Sequence, residues 1–410
     1  MVINKYFPFA LIYFFINSVA LPFGLTWMAL LAPFLYVWIL LKRKEDVLLP
    51  FLGVLLPFIV LHILFAGVQL YVYLISLLNL LMVYIFCQAF YTFLLQKPRL
   101  DKLFKTLLIL NFICCIIGIL FYFTPWVEIF WIRQELTKGV NDFYRFKLFT
   151  YEASYYATMF VPLFFYFFLQ YLLGQNTIAN YLLIPFMFLP LVLSFSMGVI
   201  ACSIIAILFT FIIYLRKLII KRRVFNLVVN LAFVLSMIAF VMIVYFRHNP
   251  IFARLVNIVS GQDTSANGRT TDAYYFARQM LGDNNTWWGI GLGQIKLQGH
   301  DLIQGYYLYN IDFVATLPNS MAEMLAIFGW LGVLLKLSIE LFLFFWTKVY
   351  ANYYRMLLFI FIFIYQFTGS FITNLAEYVI WILAFSPFVF KQFDIRYQRQ
   401  SLDAAKIAAS

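Results

Sequence analysis

Stretches of about 20 apolar residues are the length that crosses the hydrocarbon core of a bilayer as a helix. The chain is built from such stretches, and one of them, VLLPFLGVLLPFIVLHILFA (47–66), holds a single ionisable residue, His62. Twelve segments meet the criterion: 6–22, 25–41, 47–66, 70–95, 103–124, 151–173, 181–196, 198–215, 225–246, 319–346, 356–372 and 375–390. A transmembrane barrel would alternate apolar and polar residues along short strands, and these runs do not. A soluble domain could not cover so much apolar surface, since 65% of the 410 residues are hydrophobic and only 11% are charged. The fold expected is all-α and polytopic, about twelve transmembrane helices in one integral membrane domain over residues 1–410. The first apolar run leads directly into a second, so it reads as a retained span rather than a signal peptide.

The net charge of +12 is distributed as topology determinants rather than as a nucleic-acid footprint. Positive residues cluster between apolar runs: Lys42, Arg43 and Lys44; Lys97, Arg99, Lys102 and Lys105; Arg216, Lys217, Lys221, Arg222 and Arg223. With these inside, both termini are cytoplasmic and two large loops fall outside, residues 125–150 and 247–318. Structureless connections this long are usually functional. The four cysteines lie in apolar runs and make neither a disulfide framework nor a zinc pattern. They read as packing residues.

The second loop changes character several times. QDTSANG (262–268) is a turn-like segment. In RTTDAYYFARQMLG (269–282), Thr270 or Thr271 can open a helix with Asp272 in its first turn. Ala273, Phe276, Ala277, Met280 and Leu281 then recur at helical spacing, and Gly282 can end the helix. Arg278 falls on the opposite face with Thr271, Tyr274 and Tyr275. Trp287 and Trp288 suit a headgroup-level aromatic belt, or else a platform for sugar faces or a wall beside a lipid-linked head group. Gly289, Gly291 and Gly293 let backbone approach a ligand or a neighbouring helix closely. No strand–turn–helix unit surrounds them, so they are not a dinucleotide fingerprint. Lys336 and Glu340, spaced i,i+4, read as a structural pair. His62 reads as a satisfied interior histidine, and His248 and His300 as external single residues.

Three stretches in chain order, TYEASYYATMF (150–160), GRTTDAYYFARQMLGDNNTWWGIGLGQ (268–294) and LPNSMAEMLAIFGWLGVLL (317–335), together resemble the O-antigen polymerases of the O-antigen ligase/polymerase superfamily. Arg278 and Gly289 have ten residues between them, as in the polymerase loops of that family. Arg269 matches the arginine after the turn before the loop helix. Glu152 matches a family glutamate, with Ala153 in place of the proline that follows it. Ligases of the superfamily resemble His-Asn, nine residues, Gly in the third stretch. Here Pro318 stands in the histidine's place while Asn319 and Gly329 keep the spacing, which favours polymerase over ligase.

The resemblance implies an enzyme at the external face of a bacterial inner membrane that joins oligosaccharide units carried on undecaprenyl diphosphate. It implies short helices in the external loops and partners in a lipid-linked oligosaccharide, a chain-length regulator and a flippase. It also sets the order of site candidates. Arg269 and Arg278 come first for the departing diphosphate, since a guanidinium is always charged and offers forked donors. Arg254 and Arg145 follow, each equally able to pair with an aspartate or a headgroup. Glu152 is a candidate base, or simply a carboxylate at a helix start; Glu323 and Asp272 are weaker candidates. Trp287, Trp288, Gly289 and Gly291 would border the substrate, and Asn319 would cap a helix or orient substrate. With no Asp-x-Asp and no histidine cluster, neither a metal nor a cofactor is called for. The alternatives are an O-antigen ligase and a polysaccharide flippase. A flippase would be expected to show repeats and polar residues deep in several spans.

Overall fold

The computed structural model describes residues 6–17, 19, 26–44, 46–134, 143–174, 178–214, 256–258, 260–282, 285–307 and 313–398. Eleven of the twelve expected apolar segments coincide with a described helix, and the segment at 225–246 lies outside the described residues, as does the Arg216–Arg223 cluster. The helices are α1 (Phe7–Leu11, continued as a π-helix over Ile12–Ile16), α2 (Trp27–Arg43), α3 (Leu48–Phe65), α4 (Leu70–Leu95), α5 (Leu100–Phe121), α6 (Ala153–Leu173), α7 (Asn180–Ser194) and α8 (Met197–Tyr214). The second loop carries α9 (Thr264–Arg269), α10 (Thr271–Leu281) and α11 (Ile295–Tyr307); then follow α12 (Ser320–Trp346), α13 (Tyr353–Tyr365) and α14 (Leu375–Phe385). Five described helices have the length and composition to cross a membrane: α3, α4, α5, α6 and the α12 region. The protein is a polytopic all-α membrane protein.

The helices differ in what surrounds them. A helix that is apolar all round belongs in a core or in lipid, and both cases occur here. α6 is buried along nearly its whole length, from Ala153 to Gln170. It packs against α7, α8, α13 and α14, and its phenylalanines interdigitate with those of its neighbours, as Phe165 does with Phe361 at a ring distance of 6.0 Å. In contrast, α3 buries only one residue per turn (Phe51, Leu55, Phe58, His62) and leaves Leu49, Leu56, Leu64 and Phe65 outward. Between such helices van der Waals fit replaces the hydrophobic drive, which suits the aromatic richness of the α6 core.

The first loop carries a short 3-10 helix, Val127–Ile129, and beyond expectation an antiparallel hairpin, β1 (Trp131–Gln134) with β2 (Phe143–Phe146), registered Trp131 opposite Phe146 and Ile132 opposite Arg145. Two aromatic anchors favour the strands. The Trp131 indole donates to the Gly118 carbonyl at 2.7 Å, and the Phe146 ring fills the space where a side chain at Gly118 would sit.

α12 is not one straight helix. Gly329 sits at φ 63°, ψ −164° inside it. Ser320 and Lys336 would be about 24 Å apart along a continuous helix, yet Lys336 Nζ donates to Ser320 Oγ at 3.0 Å. A short arm, residues 320–328, therefore folds back beside the longer arm that starts at Trp330.

Candidate functional site

The helix ends that meet at one side of the bundle bring Glu152 and Arg269 together. Glu152 is the extended residue that opens α6, φ −145°, ψ 143°. Arg269 is the last residue of α9, which starts on the capping carboxylate of Asp263, accepting from the Ala266 amide at 2.7 Å. An Arg269 Nη2–Glu152 Oε1 contact of 2.6 Å closes the pair, both side chains mostly buried. Asn319 holds the arginine's backbone in place. Its side-chain amide donates to the carbonyls of Arg269 (2.7 Å) and Phe367 (2.6 Å), while its Oδ1 accepts from the Met321 and Ala322 amides. One fully buried asparagine thus caps α12 and ties it to the second loop and to the turn after α13.

Burial by itself would raise the Glu152 carboxyl. The Arg269 charge, hydrogen bonds from Ser154 and Arg269, and the more distant Arg145 charge outweigh it and hold Glu152 below the ordinary carboxylate range. The site therefore presents a stable anion–cation pair at neutral pH, and as a proton acceptor Glu152 is weak.

Arg145 sits on β2, buried, and donates from Nε to the Ser194 carbonyl and from Nη2 to Ser196 Oγ, each at 3.2 Å. It fastens the first loop to the junction of α7 and α8 while lending positive potential to Glu152. Arg278 stands apart. It is exposed on α10 with Thr271 and Tyr275, and among the described residues no hydrogen bond joins it to the Glu152–Arg269 pair. The opposite face of α10 is buried through Ala273, Phe276, Ala277, Met280 and Leu281, the five positions expected from periodicity. Thr270 takes the capping position, but its hydroxyl donates backward to the Ala266 carbonyl at 2.8 Å instead of capping. Of the base candidates set beside Glu152, Glu323 accepts from the Ile372 amide at 2.7 Å and Asp272 accepts from the Tyr307 hydroxyl at 2.6 Å. Arg254 and His248 lie outside the described residues.

The tryptophan and glycine segment has a physical role in the fold. At the break in α12, the Ala326 and Ile327 carbonyls and the Trp330 and Leu331 amides lack helical partners. Residues 286–291 supply them: the Ile290 and Gly291 amides donate to Ala326 and Ile327 (2.9 and 3.1 Å), and the Thr286 and Trp287 carbonyls accept from Trp330 and Leu331 (both 3.1 Å). A Cβ on Gly289 would overlap the Ile327 carbonyl, and one on Gly291 would meet Val68 at 2.7 Å. The close approach is to α12 and to the connection between α3 and α4. Trp287 is exposed, whereas Trp288 is partly buried with its ring 5.6 Å from Phe65.

Several contacts were beyond what the chain alone suggested. His62 is the satisfied interior histidine expected: Nε2 lies 2.7 Å from the Trp288 carbonyl, so it carries the proton, and Nδ1 accepts from the Tyr73 hydroxyl at 3.0 Å. Its service to the glycine segment, 226 residues away, had no local signal. Lys336 does not pair with Glu340. It reaches Glu377 at 3.0 Å, and Glu340 accepts from Gln366 at 2.9 Å. Buried charge seeks the partner giving best geometry, and Glu377 of α14 lies within reach of both Lys336 and the Ser320 hydroxyl.

A cavity of about 240 Å³ lies beside the pair, bordered by Tyr151 and Tyr155 of the α6 entrance, Asn79 of α4, Thr26 before α2, and Thr373 and Asn374 before α14.

Among known proteins, residues 182–337 match the family model described as O-antigen ligase. A search of curated proteins gave no match. The matched stretch contains Arg269, Arg278, the tryptophan and glycine segment, Asn319 and Gly329, whereas Glu152 and Arg145 come from outside it. Residues 182–337 are similar to the O-antigen ligase family, which supports a place for the chain in the O-antigen polymerase/ligase superfamily.

Proposed function

We propose that the protein is a polymerase of oligosaccharide repeat units carried on undecaprenyl diphosphate. It works at the external face of the inner membrane, with both termini in the cytoplasm, and takes the growing chain from one lipid to a sugar hydroxyl of the next unit. The observation that carries this reading is the Glu152–Arg269 pair, held by Asn319 at a bundle end beside a polar cavity. In the reaction, the bond from the anomeric carbon to the phosphate oxygen breaks and the lipid diphosphate leaves with the electron pair. The acceptor oxygen bonds to that carbon and its proton becomes acidic as the bond forms. Glu152 receives it, since a weak carboxylate base suffices at that stage. Arg269 keeps Glu152 charged and aimed. The exposed Arg278, with Trp287 and Trp288 on the same loop, meets the diphosphate and headgroup from outside. Preorganised cations of this kind stabilise a departing anion without nucleotide or metal. A chain-length regulator and a flippase of the same pathway are the partners this reaction requires.

Ligation is the second reading, favoured by the description of the matched family. Against it stands Pro318 where ligases carry histidine. The nearest described histidine, His300, stacks on Phe313 and contacts Asp301 at the surface. Purified protein given a synthetic undecaprenyl-diphosphate-linked repeat unit separates the two. A ladder of polymers without nucleotide or metal supports polymerisation, and transfer to lipid A core alone supports ligation.

A further inference from the structure

The cavity beside the pair has a composition of its own. Of its thirteen described bordering residues none carries a formal charge. A diphosphate would be poorly served by these groups, and neither Arg269 nor Arg278 is among them. A polyprenyl chain is also a poor occupant, because amide and hydroxyl groups from Asn79, Asn374, Thr26 and Thr373 border the space. Asn79 lies nine residues into α4, about 13 Å along an otherwise apolar stretch. A polar side chain at that depth marks a watered, functional cavity. Among the described residues its amide makes no hydrogen bond. Tyr151 and Tyr155 supply aromatic area, their rings 5.0 Å apart, and Tyr151 is half exposed. Met28, Val83 and Phe86 line the apolar remainder. Aromatic face, neutral amides and hydroxyls, and a volume below the roughly 300–1,000 Å³ of sites for drug-sized ligands describe a place for one ring.

We infer that this cavity seats a single uncharged pyranose ring of the lipid-linked unit, stacked on Tyr151 and hydrogen-bonded by Asn79, with its edge toward Glu152. The inference rests on the reading of the protein as acting on lipid-linked sugars. It divides the substrate between two surfaces: sugar in the neutral cavity, diphosphate at the loop arginines. Selection follows, because a uronic acid would bring a charge against described lining residues that carry none, while the neighbouring Arg269 is already paired with Glu152.

The test is a binding measurement that needs no turnover. Full-length protein in nanodiscs is irradiated with an undecaprenyl-diphosphate-linked disaccharide of neutral sugars carrying a diazirine, and the adducts are mapped by mass spectrometry. Adducts on the peptides holding Asn79, Tyr151 or Asn374 are expected. Asn79→Leu should weaken labelling at half-saturation about fivefold to tenfold, the loss of one good hydrogen bond, with the protein still folded by thermal melting. Competition by a unit with a uronic acid in place of the neutral sugar should be at least tenfold poorer than by the parent unit. Labelling confined to Trp287, Trp288 and the α10 face, or equal competition by the uronic acid unit, overturns the inference even if polymer ladders form. Cavity labelling without any ladder upholds the subsite while removing the polymerase reading.

Discussion

Gly289 and Gly329 are matched across the loop–helix junction, each at positive φ (84° and 63°) and each with its missing Cβ against backbone two residues before the other. The loop completes the hydrogen bonding of a broken helix, and the broken helix gives the loop its shape. Replacing either glycine with alanine should strain the backbone and force the two segments apart. A loss of about 2–4 kcal/mol is expected from a clash at a constrained site, read as a lower thermal midpoint in detergent. Gly53→Ala, in a helix with open space around it, should leave the midpoint unchanged or raise it.

Arg269 and Arg278 should separate structure from function. Arg269→Ala leaves Glu152 without its partner, so stability should fall by about 1.5–3 kcal/mol, the range for a charged hydrogen bond, and polymer yield should fall with it. Arg278→Ala, on an exposed face, should change stability by less than about 0.5 kcal/mol while still reducing polymer length and yield at equal protein level. Parallel melting curves and gel ladders on the two variants check this.

The depressed Glu152 carboxyl sets an acid-side dependence. A group whose folded pKa lies below its unfolded value contributes stability above the unfolded value, about 4 for a carboxylate, and loses it as pH falls through the folded pKa. The Glu152–Arg269 contribution should therefore be constant from neutral pH to about 5 and fade only below the ordinary carboxylate range. Glu152→Gln should flatten that acid-side loss in a pH series of melting midpoints. A Glu152 limb near neutrality in the rate profile would contradict the pairing.

The Lys336–Glu377 contact offers a second buried pair. Removing one partner, as in Lys336→Met, should cost about 3–5 kcal/mol because a buried charge is stranded, whereas Lys336→Met with Glu377→Leu should recover most of it. Melting midpoints of the two single variants and the double variant test the pairing against the Lys336–Glu340 alternative, which predicts that rescue comes from changing Glu340.

Local features were the readable ones. The buried stripe of α10 and the capping asparagine 319 follow from spacing and short-range hydrogen bonding, and the apolar segments follow from length alone. Glu152 and Arg269, 117 residues apart, were each reached by family likeness, but nothing in the chain said that they touch. The break at Gly329 was hidden because hydropathy runs unbroken through 320–346 and a glycine inside such a run does not by itself announce a reversal. Its cause is non-local: the hydrogen-bond partners come from residues 286–291. The Lys336–Glu377 pairing was misread for a related reason: Lys336 and Glu340 do share the unbroken arm after Gly329, but the partner that Lys336 takes comes from another helix, 41 residues on. The hairpin of the first loop depends on Gly118 of α5, a contact with no trace in the loop's own residues.

The central claim is that sugar units are moved from lipid diphosphate to sugar hydroxyl by side chains of this protein alone. The most direct measurement counts products in one reaction: purified protein, a synthetic undecaprenyl-diphosphate-linked repeat unit, chelator present, nucleotide absent. The account predicts one free undecaprenyl diphosphate for each new glycosidic linkage, with both reduced together in Arg278→Ala at normal protein level. Linkages formed at the wild-type rate by Arg278→Ala, or no diphosphate released as the lipid-linked unit is consumed, would contradict it.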